Sequence, residues 1–302
     1  MNNEQFLKNL QTPKNRIDVV LDTDTYNEID DQFAIAYMLK NADKLNCKGI
    51  CAAPFYNMNS LSPEDGMIKS YDEIYKILNL MGETKAVYKG SRNYLKDENT
   101  PQESESADFM ASLANDYSPE NPLYIVAIGA ITNVASAILK NPKMKENCVI
   151  VWLGGHGVHM PITDEFNMKQ DIAAARVVYS SGVPVVILPC AGVVSQFSIS
   201  KPELEYWLKG KNELSDYLAK NTIRAAERHN TGKAWTRVIW DVTAVAWLLN
   251  DNRRFMFDKI MPIPMPQYDF TYSFDETRHN CCYVYFIQRD KLMTDLIDKL
   301  TN

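Results

Sequence analysis

Within ten residues the chain carries five acids: Asp22, Asp24, Glu28, Asp30 and Asp31. Carboxylates this close raise one another's pKa values, so the cluster is costly unless a positive charge offsets it. A hard divalent cation held by oxygen ligands is the natural compensation. A helix N-cap accounts for one Asp in such a turn, a part Asp30 suits, and acids in a first helical turn favour the dipole. Those effects cover one or two carboxylates and leave the others unexplained. The loop is not an EF-hand, because it has no Gly at its sixth position and no Glu at its twelfth.

The elements around the acids fix where they sit. Ile17, Val19, Val20 and Leu21 read as a short buried strand ahead of them. Phe33, Ile35, Ala36, Met38 and Leu39 read as a mostly apolar helix behind them. The acids therefore fall where a strand ends and a helix begins, the ligand-binding edge of open α/β sheets. An aspartyl nucleophile is conceivable in the Asp-Thr-Asp-Thr run, but no later Gly-Asp metal motif completes it.

The same unit recurs. Strands are expected over 48–57, 86–90, 123–128, 148–155 and 183–189, with helices over 62–81 (closed by Gly82), 132–139 and 171–182. The polar run 91–106 lacks periodicity and reads as a loop. This alternation predicts an α/β fold with an open, mostly parallel sheet flanked by helices. From 201 to 250 the pattern turns helical, giving a more helical C-terminal half; 271–287 reads as a hairpin or paired strands, and a last helix covers 291–300. No repeat, low-complexity tract or linker interrupts the chain, so a single domain over 1–302 is expected.

Composition narrows the class. Apolar residues make up 46% of the 302, enough for a sizeable core. A net charge of -6 with no basic block argues against a nucleic-acid or anionic-lipid partner. The start of the chain has no signal-peptide core and no run is long enough to span a membrane. Six cysteines form no C-x-x-C pair, so reduced thiols and a cytoplasmic location are expected.

Four stretches place polar groups near strand ends: D-T-D-T-Y-N-E-I-D-D (22–31), G-A-I-T-N (129–133), G-G-H-G through E-F-N (154–167) and W-D (240–241). In this order they resemble the motifs of the nucleoside hydrolases, the calcium-dependent N-ribohydrolases of the inosine–uridine preferring type, namely DxDPGxDD, GPLTN, a GG-then-EFN segment and a late Asp. The resemblance covers most of the chain. It implies an enzyme that hydrolyses ribonucleosides to ribose and free base, with Ca²⁺ as cofactor, and often a homo-dimer or tetramer. It also implies roles. Asp24, Asp31, Asp241 and the carbonyl of Ile128 would ligate Ca²⁺, while Asp30 would take a proton from the attacking water. Asp22 would orient the turn from behind. Glu165 and Asn167 would hold ribose hydroxyls, and Asn57 is a candidate for the 5′ side.

The chain departs from the family pattern in three places. Two extra residues separate Asp24 from Asp30, and Thr-Tyr-Asn-Glu replaces the Pro-Gly, so Asn27 or Glu28 enters the site. His159 stands where an Asn usually precedes the EFN. Trp240 replaces the His that protonates the leaving base in inosine–uridine members; purine-specific members carry a Trp that stacks on the base. A purine preference follows. Within its apolar stretch Trp240 is also explicable as core. His156 and His159 have H-x-x-H spacing on a glycine-rich loop, which suits surface or substrate-loop histidines better than zinc. Arg224, Arg228 and His229 fit a solvated helix face or weak substrate contacts. The reading from a different class is a nucleoside- or sugar-binding protein that keeps the cation site with little turnover, motivated by the longer loop.

Overall fold

The computed structural model describes residues 1–302 apart from His229 and Thr231, so the expectation for His229 lies outside the described residues. Six parallel strands follow one another along the chain: β1 (Ile17–Thr23), β2 (Leu45–Ala52), β3 (Val87–Lys89), β4 (Leu123–Ala127), β5 (Cys148–Leu153) and β6 (Val185–Leu188). A short antiparallel pair comprises β7 (Ser198–Ser200) and β8 (Thr236–Val238). Next come β9 (Met256–Pro262), the small pair β10 (Met265–Pro266) and β11 (Tyr272–Ser273), and β12 (Asn280–Ile287).

The main sheet runs β3-β2-β1-β4-β5-β6-β12-β9, and its one antiparallel pairing is β9 on β12. It is the open, mostly parallel sheet that the alternation called for. Chain order reverses at β1, with β2 and β3 on one side and β4 to β6 on the other. That reversal opens a crevice beyond the carboxyl ends of β1 and β4. The strands are buried on both faces, which is why they read as continuous apolar runs. One face packs against the helices Asp31–Lys40, Val242–Trp247 and Arg289–Thr301; the other packs against Glu105–Leu113, Thr132–Lys140 and Ile172–Ser180.

Helix ends obey their local sequence. Ser62 caps Pro63–Met81 by accepting from Asp65 N, and Gly82 closes it at φ +66°. Three expectations needed revision. The apolar run from 238 does not form one helix: β8 ends at Val238 and the helix begins at Val242, leaving Trp240 and Asp241 in the turn between. In the tail, β12 lies between β6 and β9 in the main sheet instead of pairing with the residues just ahead of it. β9 went unread because Asp258 and Lys259 break its apolar pattern. Among the described residues no helix is long and apolar enough to cross a membrane.

Trp152, fully buried on β5, ties two strand ends together by donating Nε1–H to the Gly129 carbonyl at 3.1 Å. Trp152→Phe keeps most of the volume but strands that carbonyl. It should lower stability by about 1–2 kcal/mol, read as a lower urea midpoint at unchanged m-value.

Candidate functional site

The end of β1 carries the acids into the crevice. Pairing of Asp22 with Ala127 on β4 brings Ile128 level with the acidic turn, and the Ile128 N–H donates to the Asp22 carbonyl at 2.9 Å. On the other side Ala53 N donates to the Thr23 carbonyl at 2.8 Å. With its backbone clamped from both sides, β1 aims its last side chains at fixed points. Asp22, Asp24, Asp30, Asp31 and Asp241 are all 4% exposed or less, so water solvates none of them appreciably.

Asp30 stands at the N-cap of Asp31–Lys40, and Asp241 at the N-cap of Val242–Trp247. Neither side chain makes a capping hydrogen bond. Capping therefore does not explain Asp30. Both helices point their N-terminal dipole ends at the cluster, which favours negative charge there. Carboxylate oxygens of Asp30, Asp31 and Asp241 lie within 4.8 Å of one another, a spacing that one cation can bridge. Asp24, one residue past the end of β1, lies close enough to Asp30, Asp31 and Asp241 to share their mutual repulsion. Both of its oxygens are buried without a hydrogen-bond partner, and its Cγ is so close to Gly129 that a Cβ there would come within 3.0 Å.

The electrostatics express the missing positive charge. Burial, then repulsion from Glu28 and Asp31, pushes Asp30 up to about 8. Burial pushes Asp31 to about 6, although its Oδ1 accepts from Thr23 Oγ1 at 2.6 Å. Asp24 and Asp241 are driven well above the usual carboxylate range by burial and by their acidic neighbours. Asp22 lies behind the cluster, raised by burial to about 7 and held by Asn133 Nδ2 at 2.8 Å. The same Asn133 accepts from Ser91 N and Ser91 Oγ, so the Asn of G-A-I-T-N orients the turn from the helix side. An all-oxygen donor set with orphaned, buried carboxylate atoms fits a hard divalent cation such as Ca²⁺.

A cavity of about 210 Å³ opens over this cluster, walled by Asn27, Glu28, Asp30, Ile128, Leu153, His156, Glu165, Phe166, Asn167, Cys190, Trp240 and Asp241. Trp240 is half-buried: it packs against the core on one side and reaches this wall on the other. Glu165 and Asn167 are present but already engaged. Glu165 caps Phe166–Gln170 by accepting from Asn167 N and Met168 N, and it also accepts from Gly155 N. Asn167 donates Nδ2–H to the Ile128 and Leu153 carbonyls at 3.2 and 3.0 Å. The Ile128 carbonyl thus keeps one lone pair free for a further partner.

The structure places the two histidines differently. His159 is exposed, its ring laid over Gly157 and Gly192, where a Cβ on either residue would come within 2.6 Å of it. His156 instead lines the cavity. Its Nδ1 accepts from Ala191 N at 3.3 Å, burial lowers its pKa, and its Nε2 lies 3.7 Å from Asp164. The loop that carries it is pinned by Thr163, which accepts from His156 N and meets the Tyr272 hydroxyl on β11. Gly155 makes this possible: at φ +74° a Cβ would lie 2.2 Å from that hydroxyl. Neither histidine nor Cys190 falls in a periodic run, so only the fold could sort them.

The longer acidic loop also has a clear placement. Asn27 walls the cavity and accepts from Asn57 Nδ2 at 2.6 Å; Asn57 itself lies in an adjoining cavity, not this one. Glu28 forms an ion pair with Arg237 on β8. Gln32 ties the loop down by donating to the Thr25 carbonyl at 2.8 Å and to Glu73, which also receives the Tyr217 hydroxyl.

Comparisons with known proteins agree with this geometry. The family model for inosine-uridine preferring nucleoside hydrolases matches residues 19–281. A pyrimidine-specific ribonucleoside hydrolase, RihA, of Salmonella paratyphi A is 31% identical over 156 residues; the match covers 49% of this chain and 49% of that protein. RihA of Citrobacter koseri is 33% identical over 157 residues, 49% of this chain and 48% of its own. The chain thus spans about half the length of the curated relatives it matches. A plant nucleoside hydrolase structure superposes with a TM-score of 0.76 at 18% identity, over 94% of this chain and 99% of that one. A purine-preferring ribonucleoside hydrolase from Gardnerella vaginalis gives 0.74 at 21%, over 94% and 98%. At these identities the structures speak for the fold.

Raised carboxylate pKa values carry a definite sign. Between about pH 4, where the unfolded carboxylates titrate, and about pH 8, the folded chain binds more protons than the unfolded one. Stability of the cation-free protein should therefore fall as pH rises through that window. Saturating calcium at pH 8 should raise the melting temperature by a few degrees. Asp241→Asn should melt higher than wild type without calcium at pH 8 and gain little from it. Thermal melts across pH, with calcium or chelator, check both; an unchanged calcium gain in Asp241→Asn would remove it from the cation site.

Proposed function

Because the chain belongs to the inosine-uridine preferring nucleoside hydrolase family, we propose that it hydrolyses the N-glycosidic bond of ribonucleosides, releasing ribose and a free base, with calcium as its cation and purine nucleosides preferred. The observation that carries this reading is the buried Asp30, Asp31 and Asp241 cluster beneath a cavity with Trp240 in its wall. Asp24, Asp31, Asp241 and the Ile128 carbonyl would hold the cation. When bound, it would supply Lewis acidity toward water and toward the hydroxyls of the sugar.

The chain's own groups do the rest. Asp30 would be ionised at neutral pH with a cation held beside it, and it takes the proton of the water that attacks the sugar. The surrounding carboxylates stabilise the oxocarbenium-like sugar as the bond to the base lengthens. Glu165 and Asn167, fixed by their own backbone bonds, set the height of the cavity wall against which the ribose is oriented. Asn27 closes the side made by the longer loop. Trp240 stacks on the leaving base and favours its protonated ring by cation–π attraction, which a purine exploits more than a pyrimidine. The pyrimidine-specific relatives make base preference the part of the proposal that rests on Trp240 alone.

Ribose release from inosine and uridine tests the reading. Asp30→Asn should lower kcat about a hundredfold or more while keeping the calcium-dependent gain in melting temperature. Loss of that gain would make Asp30 a ligand and move the base to Glu28.

Trp240→Ala should lower kcat for inosine more than for uridine, with Trp240→Phe keeping part of it. A selective loss in His156→Ala, with Trp240→Ala unchanged, would reject stacking and assign leaving-group protonation to the imidazole.

A further inference from the structure

A second cavity, of about 330 Å³, adjoins the first and shares Asn27 and Glu28 with it as a common wall. Its charged lining is Lys76, Arg224, Arg228 and Arg237 against Glu28 and Glu73. Both acids are already matched. Arg237 pairs with Glu28, and Lys76 Nζ lies 3.7 Å from Glu73, which also accepts from Tyr217 and Gln32. Arg224 and Arg228 are left over. Both are exposed, stand one turn apart on the helix Glu213–Asn230, and line this cavity without an ion pair to another described residue. Two like charges at that spacing repel, and Glu227, which lies between them in the chain, is paired with Lys201 at 2.7 Å. The chain as a whole carries a charge of -6, so an excess of two positive charges in one cavity runs against its composition.

A pair of guanidinium forks suits a carboxylate or phosphoryl group better than any neutral partner. The side-chain amide of Asn221 and those of Asn57 and Asn59, whose Nδ2 groups also donate to Asn27, line the same space. We propose that this cavity seats an anionic group carried by the ribonucleoside, a carboxylate or a phosphoryl, while the sugar occupies the acidic cavity next to it. The ligand is then bipolar: a diol toward the carboxylates, a negative charge toward Arg224 and Arg228, and Asn27 with Glu28 at the join. The identity of the sugar rests on the hydrolase reading; the need for a negative charge rests on the arginines.

Titration calorimetry with calcium present, at low ionic strength, compares orotidine with uridine and inosine 5′-monophosphate with inosine. At least one anionic member should bind about tenfold or more tightly than its neutral parent. The preference should shrink as salt is raised. Orotidine as the preferred ligand places the charge on the base, and inosine 5′-monophosphate places it on the sugar. Arg224→Gln/Arg228→Gln should abolish the ratio of affinities, and Arg224→Lys/Arg228→Lys should keep part of it. Equal affinities within both pairs, or a preference that survives in the glutamine double variant, overturns the proposal. Ribose release from inosine, measured alongside, separates the two readings. Cleavage of inosine without any anionic preference rejects this inference alone. An arginine-dependent preference without cleavage leaves it standing as a binding site.

Discussion

Everything in this molecule answers to one electrostatic difficulty: acids from three segments meet in a crevice where each is at most 4% exposed. Like charges a few ångströms apart in a poorly solvated site repel strongly, and burial alone penalises each carboxylate. The fold meets this difficulty in parts. Two helix N-termini face the cluster, Thr23 donates to Asp31, and Asn133 restrains Asp22. What these donors leave unsatisfied, above all both oxygens of Asp24, is a set of buried carboxylate oxygens of the kind a hard cation binds. The sheet order is what makes the meeting possible, since only a reversal at β1 leaves strand ends open on both sides of the acidic turn.

Around the acids, the rigid parts are rigid because each polar group has a structural task. Glu165 is saturated by three backbone N–H groups, and Asn167 stitches the ends of β4 and β5 together. Those bonds make the wall opposite the acids a fixed surface. The loop from Thr25 to Ile29 is held differently, by Gln32 from beneath and by Arg237 through Glu28 from the side. Its two additional residues therefore do not dangle: they divide one cavity from the next.

Much of this was legible in the sequence where the signal was local. The acids between strand and helix, the capped helix at 62–82 and the run of parallel strands all follow from patterns within a dozen residues. The pairing of Glu28 with Arg237 was not legible, because it joins residues far apart in the chain that share no pattern. The turn holding Trp240 hid inside an apolar run whose periodicity suggested a continuous helix, and only the β7–β8 pairing shows where that run breaks. His156 and His159 looked equivalent three residues apart. Two glycines decided between them, by making room for one ring on the surface.

The cluster has an origin in time as well as in space. Asp24, Asp30 and Asp31 belong to the first strand–helix unit, whereas Asp241 arrives more than two hundred residues later. During synthesis the early acids emerge long before their distant partner and stay hydrated in a partly folded chain. Contacts between such remote segments form late, because the loop between them must first be ordered. The costly burial is therefore imposed in the last stages of folding, when the surrounding sheet is already there to bear it. A chain interrupted before residue 241 would keep the repulsion among Asp24, Asp30 and Asp31 but lack the distant carboxylate that converges on them.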